Sequence, residues 1–122
     1  MLLQHRASWT AQGGTWGIPG GARDSHETPA QAAVRESVEE CAIDPGRINV
    51  VEEVVTMDLP EWSYTTVIAL CEAPLAVTAN EESEELRWIG LHEVSGFELH
   101  PGFAASLSSV LAKAMVHTEP HD

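Results

Sequence analysis

Residues 20–43, GGARDSHETPAQAAVRESVEECAI, crowd Glu36, Glu39 and Glu40 into one short stretch with Arg35 as the adjacent cation. On a helix, at about 100° per residue, spacings of three and four bring these carboxylates into one arc, opposite Ala30, Val34, Val38 and Cys41. Glu36 and Glu40 then form a like-charge i,i+4 pair, which repels. No lysine precedes Lys113 to offset it. A solvated acidic face is the ordinary reading of a charge run, but such faces normally alternate Glu with Lys. A bound cation is the other source of compensation. Carboxylate oxygens suit Mg²⁺ or Mn²⁺, and Mg²⁺ commonly joins a few carboxylates to substrate phosphates. Ala32 and Ala33 flank the arc with small side chains and leave room for approach.

The elements that must hold this group are readable around it. Thr28 is a suitable N-cap, Pro29 suits the first helical position, and Asp44-Pro45-Gly46 stops the helix after about Cys41. Met1–Arg6 reads as a strand, and Ala7–Gly21 as a loop closing on the turn signal Pro19-Gly20-Gly21. Ile48–Leu59 and Ser63–Glu72 are β-branched runs on either side of Pro60-Glu61-Trp62, which predicts two antiparallel strands. Glu84–Ile89 is a shorter strand after the acidic loop Asn80–Ser83. Phe103, Leu107, Val110, Leu111, Ala114 and Met115 recur at helical spacing and predict a helix over Gly102–Val116, followed by a frayed tail from His117.

Composition bounds the partners. The 122 residues suit one domain over 1–122. With 43% apolar residues and no apolar run near the ~20 needed for a membrane span, the chain reads as soluble. Met1–Trp9 lacks a signal-peptide pattern, so a cytoplasmic location is expected. Cys41 and Cys71 have no metal or redox spacing and read as buried hydrophobes. The net charge of −13 repels a phosphate backbone, which argues against nucleic-acid polymers. A small nucleotide is compatible when a divalent cation stands between it and the carboxylates. Trp9, Trp16, Trp62, Tyr64 and Trp88 could stack on a base, but aromatics in a small core more often pack.

Gly21, Glu27 and the run Arg35-Glu36-Ser37-Val38-Glu39-Glu40-Cys41-Ala42-Ile43 resemble the Nudix box, the signature of hydrolases acting on nucleoside diphosphates linked to another group. Two positions depart from it: Ala42 stands where the family usually has Gly, and Ser37 where it is usually apolar. The resemblance implies an α/β fold, a Nudix-like α/β/α sandwich with a mixed β-sheet. Relatives usually have a strand before the one at Met1–Arg6, so a truncated N-terminus lacking the first strand is expected. The edge thereby exposed favours pairing with another chain, such as a homodimer.

The same resemblance assigns roles. Glu36, Glu39 and Glu40, completed by the Gly20 carbonyl and by Glu85, are the implied ligands of Mg²⁺ or Mn²⁺. Glu85 is the expected general base, with Glu36 as the alternative. Glu27 and Arg35 are expected to pair and orient those ligands, and Arg6 and Arg23 to meet substrate phosphate. The implied reaction is hydrolysis of a pyrophosphate bond, best in a (deoxy)nucleoside triphosphate or its oxidised form, giving a nucleoside monophosphate and pyrophosphate. ADP-ribose or another nucleotide derivative is an alternative substrate. A non-catalytic ligand sensor or interaction module is the alternative from another class, and an isomerase of the same fold ranks behind both.

Overall fold

Successive apolar residues at the start of the chain call for a strand covered on both faces, and the computed structural model, described over residues 1–20, 23–24, 26–61 and 63–118, supplies one. Strand β1 (Leu2–Arg6) lies in the middle of an antiparallel sheet, between β2 (Trp16–Gly17) and β5 (Ser83–Trp88). Leu3 faces a cluster with Trp16, Ile89, Val94, Phe103 and Leu107. Leu2, one residue earlier and so on the other face, joins Cys41, Ile43 and Leu75. Gln4, almost fully buried in the same strand, donates from Nε2 to Ser83 Oγ at 2.7 Å, which satisfies it.

Two helices cover this sheet. Helix α1 (Pro29–Cys41) delivers Cys41 to the Leu2 cluster, and α2 (Pro101–Thr118) delivers Phe103 and Leu107 to the Leu3 cluster. The result is an α/β/α arrangement, as the sequence predicts. Strands β3 (Asn49–Asp58) and β4 (Ser63–Leu70) form a second, antiparallel pair. The hairpin is tied to α2 where Glu52 meets His117 at 2.8 Å and Lys113 at 3.4 Å, and to α1 where the Ala30 amide donates to Glu53 at 3.0 Å. Every strand pairing among the described residues is antiparallel. An isolated parallel bridge outside these pairings joins Trp16 to Leu99.

The start of α1 follows its sequence signals closely. Thr28 accepts from the Gln31 amide while the Gln31 side chain accepts from the Thr28 amide, a reciprocal cap that satisfies two orphan donors. At the other end Ala42 sits at φ 57°, ψ 34°, the left-handed conformation that glycine adopts without strain. Ser37 is accommodated by donating to the Ala33 carbonyl at 2.9 Å.

Several expectations shift. The loop Ala7–Gly21 contains β2, whose two residues are too short to show a period; Trp16 stacks on His5 at 4.5 Å and is buried. Trp88 packs as predicted and donates to the Leu75 carbonyl. Trp9 does not pack: it is 67% exposed. Val38, expected on the packed face of α1, is exposed, whereas Glu40 is buried. The helix therefore turns part of its acidic side inward. Helix α2 continues to Thr118 instead of fraying at His117. Gly21, Trp62 and the tail at 119–122 lie outside the described residues. Among the described residues no helix is long and apolar enough to cross a membrane.

Candidate active site

The inward turn of α1 decides how its carboxylates behave. Glu40 is 7% exposed and accepts a hydrogen bond from the Gly20 amide at 2.9 Å. Burial pushes its carboxyl up to about 7; the Gly20 amide opposes this, while the charges of Glu36 and Glu82 add to it. Glu36 lines the adjoining cleft with its side chain mostly covered, and Glu39 stands on the outer side. The neighbouring Cys41 thiol is pushed up to about 12, chiefly by burial, so Cys41 is inert packing. Both cysteines are free thiols.

Arg35 organises the outer side. Its Nε and Nη2 grip both oxygens of Glu27 at 2.8 and 2.9 Å, a bidentate pair. Its Nη1 reaches Glu36 at 3.1 Å and Glu39 at 3.3 Å. Hydrogen bonds from Arg35 and from the Asp24 amide hold the Glu27 carboxyl at about 2, and the pairing raises Arg35 in turn. The expected Glu27–Arg35 pair is thus formed, and it draws two of the three helix carboxylates together.

The cleft beside α1 has a volume of about 1090 Å³. Gly20, Arg23, Ala33, Glu36 and Tyr64 line it at the end nearest the carboxylates. Arg6, at the end of β1, is fastened by its Nε to the Ala11 carbonyl at 2.9 Å, and its charge is felt at Tyr64. Gly20 touches Glu40 through its amide. Glu85 is not brought to this group. Leu86 and Trp88 face the Cys41 cluster, so Glu85 and Arg87 project from the opposite face of β5. There Arg87 lies over the Trp16 ring and holds Glu85 at 2.7 Å. The loop carboxylate that reaches Glu40 is Glu82.

The donor set matches a hard divalent cation in chemistry: several carboxylates, one of them buried in an uncompensated negative field. Among the described residues, no three His, Cys, Asp or Glu side chains are gathered closely enough to hold a metal ion in this arrangement, in which Arg35 draws on Glu36 and Glu39.

A family model for the NUDIX domain matches residues 1–113. The chain belongs to the NUDIX family. Its Nudix fold superimposes on the crystal structure of a Nudix hydrolase from M. smegmatis, RenU, with a TM-score of 0.90 and 45% identity over 99% of this chain and 78% of that one. "Putative 8-oxo-dGTP diphosphatase 3" of Mycobacterium tuberculosis is 56% identical over 111 residues, 87% of this chain and 51% of its own length. A "Nucleoside triphosphate pyrophosphatase/Nudix hydrolase fusion protein" of Bifidobacterium longum is 42% identical over 90% of this chain and 25% of its own length. The chain therefore spans about half, or less, of the curated relatives it matches. The Nudix box runs from the loop before α1 through its cap to its end, and Glu27, Glu36, Glu39 and Glu40 of the box belong to the group around Arg35 and Glu40.

Proposed function

We propose that this chain is a divalent-metal-dependent hydrolase that cleaves the pyrophosphate bond of a nucleoside triphosphate, releasing a nucleoside monophosphate and pyrophosphate. The observation that carries the reading is Glu40, a carboxylate buried beside Glu36 and Glu82, whose negative surroundings a divalent cation would neutralise. Family membership supplies the reaction class. The names of the Mycobacterium and Bifidobacterium relatives favour a triphosphate, with an oxidised purine deoxynucleotide the first substrate to test.

In this reading Glu36, Glu39 and Glu40 hold Mg²⁺ or Mn²⁺, and the Gly20 carbonyl completes the set. A cation held there would supply charge neutralisation at the phosphates and activation of the attacking water. The residues of the chain do the positioning. Glu27 fixes Arg35, and Arg35 aligns Glu36 and Glu39. Arg23, which lines the cleft, and Arg6, whose charge reaches Tyr64 at its wall, meet phosphate oxygens. Glu82 takes the place expected of Glu85 and accepts the water proton, with Glu36 as the other candidate base. Such an enzyme works where its nucleotides are dissolved, in the cytoplasm.

The test is product analysis by chromatography after incubation with dGTP, 8-oxo-dGTP, ADP-ribose and dinucleoside polyphosphates. Nucleoside monophosphate and pyrophosphate from the triphosphates are expected. Orthophosphate release from the same substrates, or turnover of ADP-ribose alone, would reject the triphosphate reading.

A further inference from the structure

Tyr64 is the second residue of β4, on the cleft, opposite Met57 of β3. Its ring is 45% exposed and contributes little to the core. The far end of the side chain points elsewhere: its hydroxyl lies 3.6 Å from the position a β-carbon on Gly20 would occupy. Gly20 is the residue whose amide holds Glu40. Tyr64 Oη therefore sits against the carboxylate end of the cleft, within the fields of both Glu40 and Arg6.

That hydroxyl makes no hydrogen bond to another described residue; the Tyr64 backbone carbonyl is what accepts from Thr56. The hydroxyl is available to a ligand at the end of the cleft that Gly20 and Glu36 also line. A phenol donor at the carboxylate end of the cleft, within the field of Arg6, is suited to an anionic oxygen.

We propose that Tyr64 is a substrate-binding residue of this site, its phenol donating a hydrogen bond to a non-bridging phosphate oxygen of the bound nucleotide. The inference rests on the hydrolase reading above and adds to it a residue outside the Nudix box. It also makes the start of β4 part of the recognition surface, with Tyr64 joining Arg6 of β1 on the phosphate.

Tyr64→Phe removes the hydroxyl and keeps the ring, and it breaks no hydrogen bond within the described fold. The experiment measures steady-state kinetics with dGTP and Mg²⁺, and calorimetric affinity for the non-hydrolysable α,β-methylene analogue of dGTP, for wild type and variant. Expected is a rise in KM and in the analogue Kd of roughly tenfold or more, the range for a hydrogen bond to a charged group. The same account predicts kcat within about twofold and an unchanged melting temperature, the pattern of lost ground-state binding. Unchanged KM and Kd, or a loss confined to kcat, overturns the assignment while leaving the hydrolase reading intact. A wild-type chain that neither binds the analogue nor turns over dGTP overturns both.

Discussion

Neutralising Glu40 should stabilise the metal-free protein, and by an amount that depends on pH. The carboxyl is raised from 4.5 to about 7, first by burial and then by the charges of Glu36 and Glu82. The folded state therefore binds the proton more tightly than the unfolded chain, so the stability contributed is full below 4.5 and is lost as pH rises through 7. An interval of about 2.5 pH units at about 1.4 kcal/mol each gives a penalty of about 3 kcal/mol at pH 8. Glu40→Gln keeps the shape and an oxygen to accept from the Gly20 amide, but removes the charge. In urea unfolding with a chelator present, the variant should exceed wild type by about 3 kcal/mol at pH 8 and match it to about 0.5 kcal/mol at pH 4.5. Added Mg²⁺ should narrow the gap by stabilising wild type more. A difference that does not grow with pH, or a variant less stable than wild type at pH 8, would refute the electrostatic reading of the site.

Other outcomes follow from particular contacts. Ala42→Gly relieves a left-handed alanine at the end of α1 and should raise stability by about 1 kcal/mol in urea unfolding. Arg35→Lys keeps the charge but loses the two-point grip on Glu27; metal affinity or kcat should fall about 10–100-fold, as for residues that orient metal ligands, with little change in the fold by circular dichroism. Glu82→Gln should lower kcat by about 10²-fold, the scale of a lost general base, whereas Glu85→Gln, on the far face of β5, should change kcat by less than about twofold. Equal effects of the two substitutions in a rate assay would put the loop carboxylates back on one footing.

Much of the frame was legible because its signals are local. Thr28, Pro29 and Asp44-Pro45 bound α1 without reference to the rest of the chain, and the β-branched runs on either side of residues 60–62 pair as expected. What depended on tertiary packing was not. The two residues of β2 form a strand only because β1 and Leu99 flank them. Helical periodicity put Val38 inside and Glu40 outside, yet the side of α1 with small residues and carboxylates faces the cleft, so the valine is left in solvent. That Glu82 reaches Glu40, and Glu85 does not, depends on which face of β5 meets α1. A period of two does not reveal that without the neighbouring strand, and Glu85 shares its face with Arg87. Tyr64 carried no spacing signal; its place beside Gly20 exists only once β4 is laid against the loop before α1.

The most direct measurement is the initial rate of pyrophosphate release from 8-oxo-dGTP and dGTP as Mg²⁺ is titrated, for wild type beside Glu39→Gln, whose side chain lies on the outer, exposed flank of the site. Release should be absent with a chelator, saturate with Mg²⁺, and fall steeply in the variant while the fold is retained. Release that is indifferent to the cation, or equal in the two proteins, would contradict the proposed metal-dependent hydrolysis.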